Sequence, residues 1–232
     1  MSLRRNITPI EARVLATLME KARTVPDSYP LSLNALVLGC NQKSSREPVM
    51  NVTEVQAQEA LDALKPLSLV FESGTGRVAR YAHNAQRGLG VSEPQAVLLG
   101  LLMLRGAQTV GELRIGSERW YKFADGVSIE TVLNEIKSRG DDGGPALAMP
   151  LPRSPGLREQ RWAHLLCGMD DLETFQASNM PPAQQTPARA AINLGANSGI
   201  STAQRLELLE AQVQTLQSQM AQLRQALGVA ED

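Results

Sequence analysis

Apolar residues fall at helical spacing in three stretches of the N-terminal region, and the same three recur further along the chain. Val14, Leu15, Leu18 and Met19 share one side of a helix predicted from Thr8-Pro9-Ile10-Glu11. There a threonine N-cap, a proline in the first turn and a glutamate three residues on form a capping box. Leu98, Leu99, Leu102 and Met103 follow the equivalent signal Ser92-Glu93-Pro94-Gln95. A short second helix is predicted from Ser32 and again from Thr109, each carrying a Leu-x-Leu-Gly or Leu-x-Ile-Gly pattern that pairs Leu36 with Leu113, Leu38 with Ile115 and Gly39 with Gly116. A third is predicted from Thr53, with Gln56 as capping partner, and from Ser128. Ala57, Ala60, Leu61 and Leu64 in one copy, and Ile129, Val132, Leu133 and Ile136 in the other, fall at i, i+3, i+4 and i+7, one buried stripe each.

Each third helix gives way to period-two patterning around turn residues. "LVFES" and "RVARYAH" flank Gly74-Thr75-Gly76, and "ALAMPLP" and "REQRWAH" flank Ser154-Pro155-Gly156. Three helices followed by a β-hairpin is the winged-helix order. The expected fold is therefore mainly α with small β-hairpin wings: two tandem winged-helix domains at 1–88 and 89–169. The period is too long for a solenoid.

Beyond the second wing the pattern changes twice. Residues 170–202 are rich in Pro, Ala, Gln, Asn and Gly with little to bury, which predicts a flexible linker. In residues 203–228, Leu206, Leu209, Val213, Leu216, Met220, Leu223 and Leu227 alternate spacings of three and four, a heptad seam expected to form a coiled-coil-like helix and a homo-oligomer. Packing of that helix back on its own body is the alternative.

Composition narrows the function classes. The net charge is −1, and residues 1–90 carry 11 Lys and Arg against 8 Asp and Glu, a weaker basic excess than a dedicated nucleic-acid binder shows. Cys40 and Cys167 belong to no CxxC or Cys/His cluster and read as core residues. No apolar run approaches membrane-spanning length and no secretory signal is evident, so a cytoplasmic protein is expected. Walker, GxGxxG and GxSxG motifs are absent, and the carboxylates suggest no acid/base pair. No enzyme, cofactor or metal is expected.

The chain's 2 histidines, His83 and His164, sit in the echoed segments "RVARYAH" and "REQRWAH". Alternation puts Arg77, Ala79, Tyr81 and His83 on one face and Val78, Arg80 and Ala82 on the other. Tyr81 and Trp162 are expected to pack the hairpins onto the helices, with the histidines hydrogen-bonded nearby. Arg77, Arg80, Arg158 and Arg161 are wing arginines able to reach phosphates, with Lys43 and Arg46 in the loop before the third helix as further candidates. Against DNA stand Glu54, Glu59, Asp62, Glu130 and Glu135 on the third helices, where carboxylates repel a phosphate backbone.

The block "EKARTVPDSYPLSLNALVLGCNQKSSREPVMN" at 20–51, with "RYAH" and "RWAH", closely resembles the YceH-like family of uncharacterised bacterial proteins over residues 7–168. The resemblance implies two tandem winged-helix domains in a bacterial cytoplasmic protein, and no site. Two functions are carried forward: a DNA-associated or regulatory protein contacting double-stranded DNA through its wings, and a protein-interaction scaffold using the acidic third helices and the heptad tail.

Overall fold

A computed structural model describes residues 5–73, 78–139, 145–152 and 159–168. The chain is mainly helical, with two small antiparallel sheets. Helix α1 (Pro9–Thr24) is capped as its sequence requires: Thr8 Oγ1 accepts from the Glu11 amide, and Glu11 Oε2 accepts from the Thr8 amide. Strand β1 (Leu31–Ser32) runs into helix α2 (Leu33–Cys40), then come helix α3 (Glu54–Leu64) and strands β2 (Val70–Ser73) and β3 (Arg80–His83). A short helix α4 (Ala85–Leu89) leads into the second copy: α5 (Glu93–Arg105), β4 (Gln108–Thr109), α6 (Val110–Ser117), α7 (Gly126–Ser138), β5 (Ala148–Pro150) and β6 (Arg161–His164).

Three features depart from the sequence expectation. Each hairpin gains a third strand from the residues just before the second helix, giving sheet orders β1-β3-β2 and β4-β6-β5. Helix α7 is capped by Asp125 rather than Ser128. The Asp125 carboxylate accepts from the Ser128 amide, so Ser128 fills the third helical position of the box. Helix α4, too short for a periodic signal, ends on Gly90 in the left-handed conformation that glycine favours, at φ 64°.

Burial explains why the first helices have to be so apolar. In α5 every residue from Ala96 to Leu104 is buried, and in α1 every residue from Glu11 to Glu20. A helix buried all round needs partners on all sides. Here α1 packs on α2 and α3 of its own repeat and also on α5, so one continuous core crosses both repeats within the compact unit Met1–Met180. Gly100 marks the crossing: a Cβ there would meet Trp120 Cζ3 at 2.8 Å and Met19 Cε at 3.2 Å. The glycines paired by sequence serve the same end inside each repeat. A Cβ on Gly39 would lie 2.7 Å from Thr17 Cγ2, and one on Gly116 3.4 Å from Leu101 Cδ2.

Tyr81 and Trp162 pack each sheet onto the helices, and both are buried. Ala82 and Ala163 are buried as well, although alternation puts them on the face of the exposed arginines. Ala163 belongs to a small apolar cluster with Leu151, Ala107, Met149 and Leu165, so the second sheet is covered on both sides at that point.

Gly39→Ala is expected to cost about 1–3 kcal/mol of unfolding free energy through overpacking against Thr17. Thr17→Ser removes the clashing methyl, so the double variant should recover part of that loss. Urea unfolding of the four chains measures the coupling; additive effects would remove the steric explanation.

Candidate functional site

The loop between α2 and α3 holds the most buried charge cluster in the described residues. Arg46 is 4% exposed. Its Nη1 donates to Glu20 Oε1 at 3.2 Å and to the Ser45 carbonyl at 2.9 Å. Nη2 donates to Glu20 Oε2 at 2.5 Å, and Nε and Nη2 donate to the Gly39 carbonyl at 3.1 and 2.9 Å. A guanidinium has five N–H donors, and these contacts use them. Arg46 is therefore withdrawn from the surface, contrary to the reading of it as a phosphate contact. An arginine in a polar loop looks solvated by composition, and its partner Glu20 lies on a distant helix, so the sequence carries no signal of the pair. Burial alone pushes the Glu20 carboxyl up, but hydrogen bonds and charge from Arg46, with Lys21 adding to both, hold it below the ordinary carboxylate value.

Arg80 and Arg161 are exposed, yet each is tied to its own repeat in the same way. Arg80 Nη1 donates to the Pro30 carbonyl at 2.8 Å, and Arg161 Nη1 donates to the Ala107 carbonyl at 2.6 Å, two residues before the N-caps Ser32 and Thr109. Arg161 also pairs with Glu112 at 2.7 Å, and Glu112 in turn accepts from the Thr109 amide that opens α6. The echoed arginines thus clip the third strand to the second helix. Lys43 is exposed in the α2–α3 loop. Arg77, Arg158 and the heptad positions Leu206, Leu209, Val213, Leu216, Met220, Leu223 and Leu227 lie outside the described residues.

The surface around the second and third helices is duplicated too. Eight large hydrophobic side chains are exposed among the described residues, and four of them form two equivalent pairs. Leu38 on α2 is 66% exposed and Ile115 on α6 73%, while Val55 and Val127, each second in its third helix, are both 67% exposed. Glu54, Glu59 and Asp62 on α3, and Glu130 and Glu135 on α7, are exposed on those same helices.

The histidines differ between the repeats. His83 Nδ1 accepts weakly from the Ala85 amide at 3.4 Å, and its own amide donates to the Tyr29 hydroxyl oxygen at 2.6 Å. His164 Nδ1 is buried and has no hydrogen-bond partner, contrary to the expectation of a satisfied histidine. Burial lowers both to about 4, with the Arg23 charge adding to the effect at His83. His164 also lines a cavity of about 100 Å³ between the repeats, which sequence reasoning missed. Cys40 is fully buried, as expected of a core residue, and its thiol donates to Thr17 Oγ1 at 3.5 Å. No group of three or more metal-ligating side chains occurs among the described residues, and none of their helices is long and apolar enough to cross a membrane.

Fold and surface together define a duplicated α–β–α–α–β–β protein whose two copies share one core. Residues 7–157 match the family model described as "Protein of unknown function, DUF480". Curated relatives run the whole length. The chain is 58% identical to a "UPF0502 protein" of Polaromonas naphthalenivorans over 98% of this chain and 99% of that one. Others are found in Delftia acidovorans, at 56% over 97% and 94%, and in Acidovorax sp. strain JS42, at 53% over 98% and 96%. The chain belongs to this UPF0502 family of bacterial proteins of unknown function.

Arg46→Ala, which leaves the buried Glu20 carboxylate only its contact with Lys21, is expected to destabilise the fold by about 3 kcal/mol, whereas the paired change Arg46→Met with Glu20→Gln should cost clearly less. Equal losses in chemical denaturation would remove the ion-pair account.

Acid should weaken the fold early. The folded histidine values lie below the ordinary 6.5, so their contribution is complete above that pH and drains as pH falls toward about 4. Glu20 adds a further loss below the ordinary carboxylate value of 4.5. Urea midpoints should fall between pH 7 and 4.5, and the slope should flatten when both histidines are glutamine.

Proposed function

We propose that this protein is a non-enzymatic interaction module of two winged-helix repeats, whose second and third helices bind a protein partner rather than DNA bases. The observation that carries the reading is the equivalence of Leu38 with Ile115 and of Val55 with Val127. Exposed apolar side chains are ordinary singly, but recurrence at matching positions of two diverged copies is not expected of chance exposure. Carboxylates beside them favour a partner with apolar side chains flanked by basic ones, and disfavour phosphate. The heptad segment 203–228 supports a homo-oligomer, which would multiply the surface.

Double-stranded DNA is the second reading, favoured by the exposed Lys43, Arg80 and Arg161. It is weakened by the loss of Arg46 to the core and by the clip contacts of both wing arginines.

Two measurements separate these. Cross-linking in cells followed by mass spectrometry should recover a partner with the wild-type chain that is lost at least tenfold with Leu38→Glu plus Ile115→Glu. Recovery unchanged by those substitutions overturns the protein reading. Titration with mixed-sequence duplex DNA is expected to show no binding at physiological salt. Tight binding that is abolished by alanine at Arg77, Arg80, Arg158 and Arg161, and untouched at Leu38 and Ile115, would install the DNA reading instead.

A further inference from the structure

The second helix of the second repeat and the turn after it carry cations without anionic partners. On α6, Leu113, Gly116 and Ser117 are buried, while Arg114 and Ile115 lie on the solvent side with the C-cap Glu118. The chain then folds back on the helix end, the Trp120 and Tyr121 amides donating to the Ser117 carbonyl at 2.7 and 2.8 Å. That keeps Arg119 and Lys122, both exposed, beside the last turn of α6. Among the described residues, Arg114, Arg119 and Lys122 take part in no ion pair and no side-chain hydrogen bond. The acids on either side are engaged elsewhere. Glu112 holds the Thr109 amide and Arg161, and Asp125 caps α7 through the Ser128 amide.

The first repeat lacks this charge. The alignment that pairs Leu38 with Ile115 puts Val37 and Gln42 where the second repeat has Arg114 and Arg119. The loop cation Arg46 is drawn into the core by Glu20, and the exposed Lys43 shares its loop with the exposed Glu47. Free cations around an isoleucine that is 73% exposed fit a peptide in which carboxylates alternate with apolar side chains. A polyphosphate fits worse, because it would meet Glu118 and Glu130 and leave Ile115 and Val127 facing charge. Beyond Gly168 the chain continues Met169-Asp170-Asp171-Leu172-Glu173-Thr174-Phe175, which has that composition. Its starting point is close by. Gly168 lines the cavity beside Ala12 and Arg13, and Trp120 meets the joint of α1 and α5 at Gly100 and Met19. From Ala12 to Met19 is about 10 Å along the helix, and seven extended residues span up to about 23 Å.

We propose that residues 169–175 dock on this cationic face of the second repeat, with Asp170, Asp171 and Glu173 against Arg114, Arg119 and Lys122, and Leu172 and Phe175 over Ile115, an assignment that rests on the reading of Ile115 as a docking position. The segment occupies the second face while the first, without those cations, stays open. A partner reaching the second face has to displace the segment, and one of acidic and apolar character competes with it directly. The two copies of the surface thereby differ in availability although their apolar positions match.

Hydrogen exchange of the purified full chain, read by mass spectrometry over residues 114–122, tests the docking without any partner, so its failure leaves the cross-linking result standing. Leu172→Ser with Phe175→Ser should speed exchange there at least fivefold and leave residues 33–43 unchanged. Arg119→Glu with Lys122→Glu should do the same, and adding Asp170→Lys with Asp171→Lys should restore protection. A synthetic peptide of residues 169–176 should bind the Leu172→Ser, Phe175→Ser chain saturably, and a version with lysine at 170, 171 and 173 at least tenfold more weakly. Exchange that is equal in wild type and the serine variant overturns the proposal, as does charge reversal without rescue. Protection that is lost on dilution assigns the face to a second copy instead. Should a variant fail to fold, the ability of the two peptides to compete for the wild-type chain decides, equal potency counting against the docking.

Discussion

The buried pair of Arg46 and Glu20 is the constraint on which the arrangement around it rests. Glu20 is fixed on α1, so the guanidinium that reaches it draws the α2–α3 loop down onto the first helix and binds the end of α2 through the Gly39 carbonyl. That places the next residue's amide 2.8 Å from the Leu104 carbonyl of α5, which joins the loop to the second repeat. One ion pair thereby holds the α2–α3 loop on the first helix, a wall of the inter-repeat cavity and a link between copies. Desolvating two charges is unfavourable, and five hydrogen bonds to one guanidinium are what offset it.

Duplication followed by divergence is visible atom by atom. Both copies keep the capping boxes of their first helices, the glycine at the crowded face of the second helix and the arginine clip from the last strand to the carbonyl before the N-cap. They differ where they meet. The first repeat keeps a buried ion pair under the loop after its second helix, whereas in the second repeat the residues after α6 bring Trp120 against Gly100. The histidines have likewise parted, one satisfied by backbone and one facing the shared cavity.

Local signals are legible in the sequence: caps at Thr8, Thr53, Ser92 and Thr109, and stripes at Ala57–Leu64 and Ile129–Ile136, because each is decided within a few residues; the turns at 74–76 and 154–156 lie outside the described residues. What was illegible depends on partners far apart in the chain. Strands β1 and β4 are two residues long and exist only because β3 and β6 pair with them. Arg46 reads as a surface residue because nothing local announces Glu20. The all-round burial of α5 is only half legible: its periodicity marks one apolar face, and its contact with α1 depends on a helix some 80 residues earlier in the chain.

That last contact has an architectural consequence. The helices that bury each other, α1 and α5, occupy the same place in their respective repeats, so each first helix spends its outer side on its counterpart. Head-to-tail arrays grow because each added unit exposes a fresh docking face; with Glu11–Glu20 and Ala96–Leu104 buried on every side, neither first helix offers one.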